Sequence, residues 1–134
     1  MRPRIRRCLH AERAEVTTTV LVMPLLLFMV IGVVQFALAA HAKAVVTAAA
    51  QDGARAAQAL EAPPGAGEAV ANEFVAAHAN TLLDDVSVAV SADGSTVHVE
   101  VSGEVTAVVP GITLRVRGVA DGPIEKFRPT ETTR

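Results

Sequence analysis

From Val20 to Ala40 the chain has one strongly polar side chain, Gln35, and no charge. Thirteen of these positions are Leu, Ile, Val or Phe. As a helix the stretch is about 32 Å long, enough to cross the hydrocarbon core of a bilayer. Its apolar residues contribute about −4 to −8 kcal/mol toward insertion, which Gln35, Pro24 and Gly32 partly offset. Beyond it, His41 to Leu60 has no proline and is rich in alanine, the strongest helix former. Ala42, Val46, Ala49, Gly53, Ala56 and Leu60 recur at a 4-3-4-3-4 spacing, which places them in one apolar seam. Lys43, Thr47, Gln51 and Arg55 form a polar row elsewhere. The pattern predicts one long helix from Val16 to Leu60, a membrane span continued outward as a stem. The small seam residues allow another helix to approach closely, and Gly53 in a helix interior calls for such a contact in compensation.

Pro63-Pro64-Gly65 ends this helix. A second helix is predicted from Gly67 to Leu83, with Val70, Phe74, Ala77 and Leu82 on its apolar face. Asp84-Asp85 is expected to end it. Period-two alternation follows: Val86, Val88 and Val90, then Val97, Val99 and Val101, around Ala92-Asp93-Gly94-Ser95. Asp-Gly is a strong two-residue hairpin signal. Centred there, it pairs Val90 with Val97, Val88 with Val99 and Val86 with Val101, all on one face. Gly103 is a candidate bulge in a second strand running toward Val109. Pro110-Gly111 leads into a third strand, Ile112 to Val119, and the tail from Asp121 is expected to be irregular. The expected fold class is therefore α+β and membrane-anchored: a long N-terminal transmembrane helix continuing outward, one further helix, and a small three-stranded antiparallel sheet. The expected domains are a basic leader over 1–14, the span and stem over 15–60, and an exported α+β domain over 61–134. So small a domain buries little of its surface alone, so it is expected to lean on the stem or on a partner.

Charge orients the chain. Residues 1–40 hold five arginines against Glu12 and Glu15, whereas 41–134 hold seven Lys/Arg against twelve Asp/Glu. Arginine before the span places the N-terminus in the cytoplasm and the C-terminal domain outside, in a single-pass protein of the cytoplasmic membrane. Cys8, the sole cysteine, excludes an internal disulfide. The acidic outer part, with Phe74 and Phe127 as its aromatics, has no basic stripe for nucleic acid. A cleaved secretory signal is the competing reading of the span. It would be cut after Ala37-Leu38-Ala39 or Ala40-His41-Ala42.

The order of several short motifs is specific. Glu12-Arg13-Ala14-Glu15-Val16-Thr17-Thr18-Thr19 leads into Leu21-Val22-Met23-Pro24-Leu25-Leu26-Leu27. Val34-Gln35-Phe36-Ala37 follows, and then Ala50-Gln51-Asp52-Gly53-Ala54-Arg55-Ala56-Ala57. Over residues 12–60 this resembles the TadE-like family of pilus assembly proteins of tight-adherence pili, which are similar to minor pilins or pseudopilins. The resemblance implies a short basic leader, a membrane helix with an early proline, and an E-G-A-R-like motif beyond it, here Asp52, Gly53, Ala54 and Arg55. It implies assembly by helix packing rather than catalysis. The implied partners are other pilus or secretion-system subunits, the lipid bilayer and a prepilin-type peptidase. Aligning Pro24 with the family's proline makes Ala14 and Glu15 the leader-processing pair. Thr19 then stands where filament-forming members carry a glutamate. The alternative from the residues themselves is a secreted or membrane-anchored extracytoplasmic binding module with no pilus role.

Catalytic, cofactor and metal sites are not expected. His10, His41, His78 and His98 are scattered without zinc-ligand spacing, and no nucleophile elbow or phosphate loop occurs. Asp52 and Arg55, three apart on a helix, can pair.

Overall fold

The computed structural model describes residues 5–124, with side chains described from residue 19 onward. The order is helix α1 (Ile5–Gln58), helix α2 (Ala66–Ala79), then strands β1 (Leu83–Ala92), β2 (Thr96–Val105) and β3 (Leu114–Pro123). The strands form one antiparallel sheet in the order β1-β2-β3. The architecture is the α+β arrangement read from the pattern. Helix α1 begins earlier than the predicted Val16, because residues 5–15 contain no proline or glycine to interrupt it. It ends two residues before the predicted Leu60. Glu61 and Gly65 then adopt positive φ, and the Pro63-Pro64 pair between them cannot continue a helix.

The chain divides into two compact units, residues 1–36 and residues 37–134. The second has one apolar core. Six of its fifteen buried apolar residues come from α1: Ala42, Val45, Val46, Ala49, Ala50 and Ala54. Ala71, Val75 and Ala79 come from α2, and the rest from the sheet, chiefly Val97, Val99, Val101 and Val105 of β2. Both helices contribute to the side of the sheet on which β2 places its odd-numbered residues. The stem is thus part of the small domain's core, and supplies the burial that residues 61–134 lack alone.

Several local expectations are corrected. Helix α2 stops at Ala79 rather than Leu83, and its buried residues are Gly67, Ala71, Val75 and Ala79. Val70 and Phe74 are half-buried, and Ala77 is exposed. The smallest side chains face inward because α2 meets α1 at close range. A Cβ at Gly67 would lie 2.7 Å from the Gly53 carbonyl oxygen and 2.9 Å from the Ala57 Cβ. Asp84 and Asp85 belong to β1 rather than to the end of α2.

The hairpin turns around Gly94-Ser95 instead of Asp93-Gly94. Asp93 N–H donates to the Thr96 carbonyl at 3.1 Å, and the register pairs Val90 with Val99 and Val88 with Val101. The two-residue slip preserves parity, so the valines still share one face. The extra residue of the bulge lies in β1, between Asp84 and Ser87, and not at Gly103. Asp85 there has φ +52°. The bulge reverses the alternation, so Leu83 and Val88 face the core although five positions apart. Strand β3 is displaced toward the C-terminus. It takes in Asp121, Gly122 and Pro123, which pair with His98, Val97 and Thr96, so the expected irregular tail is strand at its start. Its remainder, residues 125–134, lies outside the described residues; Cys8 and His10 lie on the α1 backbone, with their side chains outside those described.

Asp93 explains the choice of turn. Its Oδ1 accepts Thr96 N–H at 2.9 Å, Ser95 N–H at 3.2 Å and the Ser95 hydroxyl at 3.2 Å. The Thr96 N–H, followed by the donors of Ser95, holds its carboxyl below the usual carboxylate range. A group with a depressed folded pKa stabilises the fold above its unfolded value, about 3.9, and loses that contribution as pH falls through the folded value. The melting temperature of Asp93→Asn should therefore lie below that of the parent at pH 7. The gap should close as the pH is lowered below 4. A gap independent of pH would show that the charge is not what stabilises the turn.

Candidate functional site

Among the described residues no metal-ligating constellation occurs, and the most distinctive surface lies on α1. Within residues 1–36, the described large apolar side chains are open to the surroundings except Ile31, which is half-buried. Leu21, Leu25, Phe28, Met29, Val33 and Phe36 are each more than 60% exposed. Soluble domains rarely leave so large a contiguous apolar surface uncovered. The stretch Thr19–Gln58 is, among the described residues, the one helix long and apolar enough to cross a membrane. Gln35, the strongly polar residue of the predicted span, is buried. Thr19 is exposed at the start of the described side chains. Ala14 and Glu15 lie on the helical backbone, but their side chains are outside the described residues.

The seam divides along its length. Ala42, Val46 and Ala49 have no exposed surface, and Gly53 is buried, whereas Ala56 is half-buried and Leu60 exposed. Its buried part packs against this chain's own sheet and α2. A Cβ at Gly53 would lie 2.8 Å from the Gly67 carbonyl oxygen, 3.1 Å from the Ala71 Cβ and 3.4 Å from Val99 Cγ1. The Asp52–Arg55 motif is two-faced. Gly53 and Ala54 point inward and let the helices meet, while Arg55 Nη1 pairs with Asp52 Oδ1 at 2.6 Å on the outside. The pair is open to solvent and worth only a few tenths of a kcal/mol to the helix.

Sequence reasoning missed how α1 sits on β3. A Cβ at Gly118 would lie 2.3 Å from the Val46 carbonyl oxygen and 2.6 Å from the Thr47 nitrogen. At Gly122 the Gln58 side chain occupies the corresponding space. Lys43 Nζ donates to the Arg117 carbonyl. The available signal was Gly118 inside a strand pattern, which marks a close backbone approach.

The outer face of the sheet is charged and largely self-compensating. Arg115 pairs with Glu104 at 2.6 Å, Arg117 with Glu100, and His98 with Asp121. Glu104 raises the pKa of Arg115, chiefly through their hydrogen bond. His78 stacks on Phe74 with ring centroids 4.2 Å apart, and its Nδ1 lies 2.9 Å from the Phe74 carbonyl oxygen. His41 is exposed. Among the described residues no group of three or more His, Cys, Asp or Glu could hold a metal ion.

Two features remain: the exposed apolar face of α1 within residues 1–36, and the Asp52–Arg55 motif within residues 37–134. Residues 19–55 match the family model of TadE-like proteins. The match runs from the first described side chain of the span through Arg55, within the 12–60 resemblance. No curated protein and no solved structure matches the chain.

Proposed function

We propose, from the TadE-like match over residues 19–55, that this chain is a membrane-anchored minor pilin-like protein. It takes part in assembling a tight-adherence-type pilus or secretion apparatus by helix packing, not catalysis. The observation that carries this reading is the coincidence of the match with the exposed apolar half of α1 and with the Asp52–Arg55 motif. The arginine-rich start keeps the N-terminus in the cytoplasm and the acidic α+β unit outside. The exposed side chains from Val20 to Phe36 meet lipid and the helices of other pilus or secretion-system subunits. Ala14-Glu15 is the point at which a prepilin-type peptidase would cut. Thr19 brings no charge to the position where a filament subunit carries glutamate. Retention in the membrane as an accessory subunit therefore suits the residues at least as well as polymerisation.

Intact mass and N-terminal sequencing of the protein from membranes test this. A start at Glu15 is the expected outcome for pilin-type processing, and an intact N-terminus for a permanent anchor. A start at Ala40 or Lys43 means simple secretion and overturns the anchored reading.

A further inference from the structure

Among the described residues the sheet has two edges with no strand beyond them, and they are built differently. The Ile124 N–H bonds to the Ser95 carbonyl at 2.8 Å, so in β3 the even residues bond inward and the odd ones point their backbone groups outward. That outward edge is guarded. Lys43 Nζ covers the Arg117 carbonyl, Pro123 closes the strand end, and Arg115 and Arg117 flank the middle. Charges and proline are how proteins blunt an edge.

Strand β1 has none of these from Val86 to Ala92, which reads Val-Ser-Val-Ala-Val-Ser-Ala. The Asp93 N–H bond to Thr96 sets the parity. Ser87, Ala89 and Ser91 bond to β2, while Val88 and Val90 point their backbone groups to the free edge. Among the described residues no strand lies beyond it. Beside the edge, β1 and α2 line a groove of about 320 Å³, floored by Val75, Ala76, Ala79, Leu83 and Val86, with Asn72 on its wall. Val86 and Val90 remain 36% and 39% exposed. An edge strand with an adjacent helix-lined groove offers a partner strand main-chain bonds together with space for its alternate side chains.

Charge selects the partner. Between Arg55 and Arg115 the chain has no lysine or arginine and eight Asp or Glu residues. Glu73, Asp84 and Asp85, around the groove and the start of β1, are exposed. Arg115 lies near Asp85, but its guanidinium is engaged by Glu104.

We propose that the free edge of β1, with the groove beside α2, is a strand-addition site for an extended, basic-and-apolar segment of a partner protein. This is independent of whether the chain enters a pilus. The test uses the full chain in lipid nanodiscs, with the synthetic peptide Lys-Val-Thr-Val-Thr-Val-Lys as probe. Saturable binding is expected, with added amide-exchange protection at Val88 and Val90. Val88→Pro should weaken binding at least tenfold while β2 and β3 amides stay protected, because proline is tolerated where the N–H faces outward. The double change Asp84→Asn and Asp85→Asn should also weaken it, as should replacing the peptide's lysines with glutamate. Absence of saturable binding, or equal binding by Val88→Pro, overturns the proposal. Concentration-dependent protection of the same amides without peptide also overturns it, by assigning the edge to a second copy of the chain.

Discussion

Replacing Gly118 with alanine should unseat α1 from the sheet and lower the stability of the 37–134 unit by about 3 kcal/mol or more. Overpacking usually costs about 1–3 kcal/mol, because neighbouring side chains can shift. Here the added methyl would meet the Val46 carbonyl oxygen at 2.3 Å, the Val46 carbonyl carbon at 2.4 Å and the Thr47 nitrogen at 2.6 Å. All three are helix backbone and cannot rotate aside. In a domain of this size each kcal/mol moves the melting temperature by about 4–8 °C. Amide exchange of β2 and β3 in the full chain, held in nanodiscs, should rise steeply. Gly32→Ala is the control, since a Cβ there would meet nothing within 4 Å, and it should leave exchange unchanged. Parental protection in Gly118→Ala would mean that α1 does not rest on β3 as described.

Gly53→Leu should have an effect of similar size on α2. Alanine at a helix interior is favoured over glycine by about 1 kcal/mol, so propensity alone would make larger residues stabilising at this position. The contacts oppose it. The Cβ would lie 2.8 Å from the Gly67 carbonyl oxygen and 3.1 Å from the Ala71 Cβ, with three further carbons still to place. The expected result is loss of exchange protection in α2 while α1 stays membrane-inserted and resists carbonate extraction. The seam pattern by itself points to lost association with other subunits. The structure puts the first effect inside the chain, so any loss of association should accompany loss of α2 protection. Lost association with α2 fully protected would instead place an intersubunit contact at Gly53.

Exposed positions at the end of α1 and just beyond it separate the two roles. Leu60 is 57% exposed and Arg55 lies outside, so replacing either with alanine should not disturb the core. A defect in assembly from those residues would be a surface effect.

The elements were legible because each carries a local signature. Twenty-one nearly nonpolar residues specify a span by transfer energy alone. The valine alternation specifies strands by the two-residue period, and it survived a two-residue slip in register. Pro63-Pro64-Gly65 specified a break. The Asp52–Arg55 ion pair was legible from i,i+3 spacing, and the TadE-like resemblance rested on short ordered motifs that need no tertiary knowledge.

What escaped the sequence depends on which surfaces meet. The α2 face was read toward Val70 and Phe74, because larger apolar side chains normally lie inward. The actual contact buries Gly67 and Ala71, because the approach of α2 to α1 leaves space only for the smallest residues. Strand β1 absorbs the extra residue at Asp85 because Leu83 and Val88 must face the same core, a demand that exists only once the helices are in place. The sequence by itself therefore determined an apolar helix long enough to cross a membrane, the element order and the side of each strand that is apolar. Only the tertiary structure decided that the inner part of the stem seam, Ala42 to Gly53, is filled by the chain's own domain, and that, among the described residues, one sheet edge is guarded while the other stays open. The physical reason is range: hydrophobic period and turn chemistry act over a few residues, whereas close packing is settled between residues as far apart as Val46 and Gly118.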